Sequence, residues 1–245
     1  MRVAVISDIH SNLAALEAVL ADAGAVDETW CLGDVVGYGP QPNECIDLLH
    51  TREPDLVCVA GNHDWAALGL LDTADFNPDA ERAALWTREQ VTAASRTYLE
   101  SLPQAVPQGD FTLVHGSPRD PIREYLISAD VARSNFALLG TRYCFVGHSH
   151  HPFVFVEAGD ARAMPELQAP LAGGAAALGE RRLFINPGSV GQPRDGNPKA
   201  SFLILDTDKH TIEHRRVEYA VKVTQRLMQE ARLPERLSRR LGYGV

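Results

Sequence analysis

The stretch Val3-Ala-Val-Ile-Ser-Asp8-Ile-His10 decides the fold. Small and β-branched residues run straight into a carboxylate and an imidazole two positions apart. At a strand end, residues i and i+2 point to the same side, like two teeth of a metal chelate. Alone, an Asp-x-His triplet is an ordinary solvated turn. Here four further segments repeat the plan: Thr29-Trp-Cys-Leu-Gly33-Asp34, Leu56-Val-Cys-Val-Ala60-Gly61-Asn62-His63-Asp64, Phe111-Thr-Leu-Val-His115 and Tyr143-Cys-Phe-Val-Gly147-His148-Ser149-His150. Each ends an apolar run on a metal-competent side chain.

Between these runs the spacing predicts helices. Ser11 is a capping residue, Leu13, Leu16, Val19 and Leu20 fall at helical intervals, and Gly24 closes the segment. Pro42 opens a second helix through about His50. Strands alternating with helices predict an α/β core. Residues 65–102 read as helical throughout, with Asn77-Pro78 as a start signal and Leu85, Trp86, Val91, Tyr98 and Leu99 as apolar positions. We expect an inserted helical segment over or beside the site. Residues 123–139 also read as a helix. The runs Phe153-Val-Phe-Val156, Arg182-Leu-Phe-Ile185, Ser201-Phe-Leu-Ile-Leu205 and Thr211-Ile-Glu-His-Arg-Arg-Val217 predict an added antiparallel portion. The Gly-Ala-rich residues 171–179 lack the Lys-Ser/Thr ending of a phosphate-cradling loop and are expected to form a flexible hairpin tip. The tail, about 220–241, reads as two amphipathic helices broken at Pro234. Arg226, Arg232, Arg236, Arg239 and Arg240 lie on its polar positions, a pattern that ordinarily marks a solvated face. No repeat or low-complexity linker divides residues 1–245, so a single domain is expected.

Of the 245 residues 45% are hydrophobic, ample for a buried core, and the formal charge of −9 should repel a phosphate backbone. Nucleic acid is therefore not an expected partner, although bound divalent ions would create a local cationic spot for an anionic substrate. Cys31, Cys45, Cys58 and Cys144 form no C-x-x-C pair and read as reduced core residues. The chain runs directly into its first strand and has no stretch of eighteen apolar residues, which predicts a cytoplasmic protein without a membrane span.

The strand-end groups are Asp8, His10, Asp34, Asn62, His63, His115, His148 and His150, and they include five of the nine histidines. Each has an ordinary explanation as a helix cap or a satisfied interior group. If the strands share a parallel sheet, however, their C-terminal ends lie on one edge, where α/β proteins place ligands. Two divalent ions roughly 3.5 to 4 Å apart need a bridging carboxylate and about three further ligands each, and this set can supply them. Nitrogen and oxygen donors without thiolate favour manganese, iron, zinc, cobalt or nickel over calcium or magnesium.

In order and spacing these motifs resemble the calcineurin-like metallophosphoesterase superfamily. Gly33-Asp-Val-Val-Gly-Tyr-Gly-Pro-Gln-Pro-Asn-Glu44 and Asn186-Pro-Gly-Ser-Val-Gly-Gln-Pro-Arg-Asp195 are similar to its small bacterial and archaeal YfcE-like branch. The resemblance implies a four-layer αββα sandwich of two mixed sheets flanked by helices. It implies that Asp8, His10, Asp34 and His150 hold one ion, that Asp34, Asn62, His115 and His148 hold the other, and that Asp34 bridges. The implied cofactors are two divalent transition-metal ions, manganese or else iron, zinc, cobalt or nickel. They would activate a bridging hydroxide for in-line attack on a phosphate ester, with His63 as general acid. Asp64 would orient His63 or else cap a helix as an exposed residue.

One departure bears on substrate. Protein phosphatases and dinucleotide tetraphosphatases read Gly-Asp-x-x-Asp-Arg-Gly in the second motif, where Gly37 and Tyr38 stand here in place of the Asp that partners the catalytic histidine and the Arg that grips phosphate. Arg119, Arg123 or Arg194 is then a candidate cationic contact, against the alternative of a surface ion pair. The expected activity is a metal-dependent phosphodiesterase. The alternatives are a phosphomonoesterase, including a protein phosphatase, a nuclease, and a non-catalytic scaffold on the same fold.

Overall fold

The computed structural model describes residues 1–52, 54–74, 76–160, 163–169 and 174–245. Its strands are β1 (Arg2–Ile6), β2 (Glu28–Cys31), β3 (Leu56–Cys58), β4 (Ala105–Gln108), β5 (Phe111–Val114), β6 (Tyr143–Phe145), β7 (Phe153–Val156), β8 (Glu166–Gln168), β9 (Ala175–Ala177), β10 (Leu183–Asn186), β11 (Ala200–Asp206) and β12 (Thr211–Val217). The helices are α1 (Leu13–Ala23), α2 (Pro42–His50), α3 (Asn62–Leu68), α4 (Pro78–Gln90), α5 (Ala93–Ser101), α6 (Ala129–Phe136), α7 (Val221–Glu230) and α8 (Glu235–Arg240).

Two six-stranded sheets result, ordered β3-β2-β1-β11-β12-β9 and β4-β5-β6-β10-β7-β8. Both are mixed: β1, β2 and β3 run parallel while β11 returns antiparallel, and β5, β6 and β10 run parallel while β4 and β7 are antiparallel. The alternation of β1 shows why the sheets stack. Val3 and Val5 face the second sheet, packing with Trp30, Leu113, Tyr143, Phe145 and Ile185. Ala4 and Ile6 face outward, against Leu16, Val19 and Leu20 of α1 and Ile46 and Leu49 of α2. A strand buried on both faces has to be apolar at every position, which is what the opening stretch shows. Cys144, Phe155 and Phe184 on the outer face of the second sheet meet Ala132 and Phe136 of α6. Helix, sheet, sheet and helix are the four layers. All four cysteines are free and buried.

Several expectations need correction. The 65–102 stretch is broken into the end of α3, a non-helical run, α4 and α5. The start at Asn77-Pro78 is real, since the Asn77 side chain caps Ala80 N–H and Pro78 is the first helical residue. Leu85 is exposed rather than packed. The helix expected over 123–139 covers only Ala129–Phe136, because Asp120 caps the amides of Ile122 and Arg123 and turns the chain there. Residues 171–173 of the Gly-Ala-rich stretch lie outside the described residues, and Ala175–Ala177 form an edge strand on β12 rather than a loose tip. The edge strands β4 and β8 were not anticipated. The tail does form two helices divided at Pro234. Its apolar face, Met228, Leu233, Leu237 and Leu241, is buried against Tyr38 and against Ala80 and Ala83 of α4. Among the described residues no helix is long and apolar enough to cross a membrane.

Candidate metal centre

The C-terminal ends of β1, β2, β3, β5 and β6 meet at one edge, and the loops that follow them bring seven of the expected groups together. Asp8, His10, Asp34 and His150 offer ligand atoms that all lie within 4.8 Å of one another, and so do Asp34, His115 and His148. Asp34 is common to both groups. Its Oδ2 lies 3.6 Å from His10 Nε2 and 3.3 Å from His115 Nε2. Asn62 Oδ1 joins the second group, 3.0 Å from His115 Nε2.

The backbone achieves this convergence differently from simple strand alternation. β1 ends at Ile6, and Asp8 and His10 lie beyond it in left-handed conformations, with φ of 55° and 49°. Asp34, His148 and His150 also have positive φ, at 52°, 65° and 60°. Non-glycine residues rarely occupy this region, and a cluster of them marks a site whose surroundings over-determine the backbone. The loop after β10 supplies part of that determination: Ser189 Oγ donates to the Asp8 carbonyl at 2.8 Å, and the amides of Val190 and Gly191 donate to Ser7 and Asp8. Gly61 is needed for close approach, since a Cβ there would fall 2.1 Å from Asp34 Oδ1.

Each histidine spends one nitrogen on a backbone carbonyl. His10 Nδ1 donates to Val36 at 3.1 Å, His115 Nδ1 to Leu32 at 2.9 Å, His148 Nε2 to Arg123 at 3.1 Å and His150 Nδ1 to Gln192 at 2.6 Å. A carbonyl can only accept, so the other nitrogen of the His10, His148 and His150 rings, which burial keeps neutral, presents a lone pair, whereas His115 Nε2 carries a proton that the charge of Asp34 holds there. Two of those lone pairs meet with no proton between them, His10 Nε2 and His150 Nε2 lying 3.1 Å apart, and Asn62 Oδ1 and His148 Nδ1 crowd on the single His115 Nε2 at 3.0 and 3.1 Å. Asp8 Oδ2 and Asp34 Oδ2 are buried without any hydrogen-bond partner. A buried pocket made almost wholly of acceptors is unstable unless positive charge occupies it. The residues therefore fit divalent metal.

The electrostatics carry the same demand. Burial pushes the Asp8 carboxyl up to about 7. Burial alone would do the same to Asp34, but His115, His63 and His10 hold it well below the usual carboxylate range. At His115 burial opposes the charged form, yet the Asp34 carboxylate lifts the imidazole to about 9. His10 and His150 are driven well down by burial, and His148 to about 3.

His63 stands beside this cluster, its ring 5.0 Å from that of His10, 4.3 Å from Tyr38 and 4.9 Å from Phe76. Its amide donates to Asp34 Oδ1 at 2.8 Å, while its Nδ1 is buried and unpartnered. A Cβ on Gly37 would lie 2.8 Å from that Nδ1, so the position that lacks an Asp in the second motif abuts the nitrogen left without a partner. Asp64 does not fill the gap. It is fully buried, and its carboxylate accepts the amides of Val36 at 3.0 Å and Gly61 at 2.9 Å. That makes it a brace between two ligand-bearing loops and not an exposed cap. Arg119 is turned onto Glu124, Nε donating at 3.0 Å. Arg194 does reach the site, with its guanidinium carbon 5.7 Å from the Tyr38 ring centroid. Two further neighbours escaped the sequence reading: Tyr125, stacked on His148 with centroids 3.7 Å apart, and Gln192, whose carbonyl fixes His150.

Residues 1–210 match the family model described as the calcineurin-like phosphoesterase superfamily domain. An uncharacterised protein of Methanocaldococcus jannaschii is 41% identical over 251 residues, covering 99% of this chain and 98% of that one. The crystal structure of a metallophosphoesterase from Sphaerobacter thermophilus superimposes with a TM-score of 0.91 at 48% identity, covering 100% of this chain and 99% of that one. A symmetrical bis(5'-nucleosyl)-tetraphosphatase of Pseudomonas fluorescens is 32% identical over 100 residues, covering 35% of each chain. Sheet order, buried Asp/His cluster and family model agree, and the chain belongs to the calcineurin-like phosphoesterase superfamily.

Proposed function

We propose that this protein is a dinuclear metal-dependent phosphodiesterase. The observation that carries the reading is the acceptor-rich buried cluster, in which two ligand groups share Asp34. Asp8, His10, Asp34 and His150 would hold one divalent transition ion, and Asp34, Asn62, His115 and His148 the other. Bound ions would supply Lewis acidity toward the phosphoryl oxygens and a water activated for in-line attack on phosphorus. The chain supplies the rest. Carbonyl-anchored imidazoles keep their lone pairs aimed inward, Asp64 and the loop after β10 hold the ligand loops in place, and His63 stands where a departing oxygen can take its proton. The likeness to a symmetrical bis(5'-nucleosyl)-tetraphosphatase covers 35% of the chain, and Gly37 and Tyr38 weaken that substrate reading as they weaken the protein-phosphatase one, which leaves a simpler diester as the preferred class. Four buried free cysteines fit a reducing compartment and a cytoplasmic location.

Elemental analysis of protein purified without chelator should find close to two transition ions per chain, manganese foremost. Protein that stays metal-free under saturating manganese or zinc would end this reading.

The substrate test is a panel on metal-stripped protein with one ion restored at a time, comparing bis-aryl and mono-aryl phosphates, cyclic nucleotides and a phosphoserine peptide. With Gly37 and Tyr38 in the second motif, a monoester dianion lacks one charge-assisted contact, and the bis-aryl phosphate should be preferred over the peptide by about tenfold or more. A clear preference for the peptide reverses the ranking in favour of a phosphomonoesterase.

A further inference from the structure

The ligand cluster is closed on most sides and meets solvent on one. Asp8, Asp34 and His115 are fully buried and His10 and His150 show 2% of their surface, whereas His148, His63 and Asn62 show 4, 5 and 6%. A phosphate ester therefore has its approach along the side formed by Asn62, His63 and His148.

Tyr125 stands on that side, in direct contact with the cluster. Its ring lies on the His148 ring with centroids 3.7 Å apart and planes 19° from parallel, and Tyr125 is the exposed member of the pair, at 46%. One face of the phenol covers an expected ligand of the second ion. On its other face no protein ring lies among the described residues. The chain holds the residue there from both sides. His148 Nε2 donates to the Arg123 carbonyl at 3.1 Å. The Glu124 carboxylate accepts from Ser117 Oγ at 2.6 Å, Asn135 Nδ2 at 2.7 Å and Arg119 Nε at 3.0 Å, and Leu126 is buried with Ala132 and Phe136 of α6. With its neighbours fixed, residue 125 presents a large ring of few rotamers, a contact that costs little conformational entropy when a ligand covers it.

We propose that the free face of Tyr125 is a platform for a planar ring on the substrate, so that the site selects phosphate esters carrying an aryl group or a nucleobase over alkyl esters. Atoms of stacked groups approach to about 3.5–4 Å, which puts a ring on that face about 7 Å from the plane of His148, a distance that an aryl or nucleoside ester bound at the cluster spans. Every such ring has a π-face, so the platform sets the class of substituent without setting the compound. Tyr125 touches the substituent and not the reacting atoms. This inference rests on the phosphoesterase reading above for what occupies the metal centre.

The test compares phosphonates that have no ester bond to cleave: methylphosphonate, benzylphosphonate, in which a methylene replaces the ester oxygen of phenyl phosphate, and the analogue of adenosine 5'-monophosphate made by the same replacement. Calorimetry on the metal-loaded full chain gives a Kd for each. A ring-bearing ligand should bind the wild type about three- to tenfold more tightly than methylphosphonate, and the ligand with the larger gain tells an aryl site from a nucleobase site. Tyr125→Leu should bring that ratio close to one while leaving the Kd of methylphosphonate in place, and Tyr125→Phe, which keeps the ring, should preserve the ratio. If the leucine variant sheds metal, the wild type decides. In zinc-loaded protein the ring protons of Tyr125, assigned by their loss in Tyr125→Phe, should shift upfield with the preferred ring-bearing ligand and stay in place with methylphosphonate. Equal wild-type affinities, a ring preference that survives Tyr125→Leu, an equal weakening of all ligands, or unmoved ring protons would each overturn the platform and leave Tyr125 as a cover for His148. None of these ligands turns over, so a protein that fails to hydrolyse bis-aryl phosphate would defeat the proposed activity and leave this measurement intact.

Discussion

Asp34→Asn should strip the protein of metal more completely than any other single ligand substitution. Asp34 alone belongs to both ligand groups, with Oδ2 lying 3.6 Å from His10 Nε2 and 3.3 Å from His115 Nε2. In the variant the amide oxygen can still accept the His63 N–H that Asp34 Oδ1 now takes at 2.8 Å. The new amide nitrogen would occupy the place of Oδ2, 3.3 Å from His115 Nε2, and donate to that ring once loss of the carboxylate leaves it neutral. A neutral hydrogen bond then replaces the Asp34–His115 ion pair and Asp8 loses a like charge beside it, so the metal-free variant should still fold. Removing an outer-shell partner typically weakens metal binding 10–100-fold, so loss of a shared ligand should exceed about a hundredfold and abolish turnover with it. His10→Ala touches one group and should keep close to one ion. Metal-to-protein ratios after gel filtration, measured beside melting curves, decide the matter. Equal metal retention in the two variants would show that Asp34 is not shared.

How much of this was legible in the sequence depends on how local the cause is. Each ligand loop follows a short apolar strand, and all of those strands place their C-terminal ends on one edge, so motif order alone identified the groups that converge. The left-handed backbone at Asp8, His10, Asp34, His148 and His150 was not legible, because Asp and His tolerate that region without requiring it and the contacts that hold Asp8 there come from the distant loop after β10. Edge strands were lost for a related reason. β4 carries Pro107, and all three residues of β8 are exposed, so neither shows the alternation that betrays a half-buried strand. The placement of Arg240 lay furthest from view. In the sequence it is one arginine of a polar helix face, and only the packing of Leu237 and Leu241 on Tyr38, some two hundred residues earlier, turns it toward Gln192. Asp64 shows the converse: its capping of α3 was foreseeable, but its burial came from the amide of Val36 in the neighbouring loop.

His63→Ala should keep its metal and lose most of its activity on esters of poor leaving groups. No ligand bond is removed, and the contact that ties residue 63 to Asp34 comes from the backbone amide, which alanine retains. Truncation removes a buried nitrogen that has no partner, which offsets part of the cost of the cavity left between Tyr38 and Phe76. Burial, reinforced by the positive charges of Arg194 and His115, holds the His63 imidazole down at about 4 despite the pull of Asp34. Near pH 7 the free protein therefore carries it neutral, and the negative charge of a bound phosphoryl group is what favours its protonation. The proton then matters in proportion to the basicity of the departing oxygen. A nitrophenolate leaves without help, whereas an alkoxide must be protonated as its bond to phosphorus breaks, and positioned general acids typically contribute about 10²–10⁴-fold. The loss in His63→Ala should approach that range for alkyl esters and shrink toward unity for nitrophenyl esters. Rates of wild type and variant would be measured on diesters differing only in leaving-group pKa, with metal content determined on the same samples. The slope of log rate against leaving-group pKa should steepen in the variant. Parallel slopes, or a variant that has shed metal, would remove His63 from proton donation and return it to the ligand set or to packing.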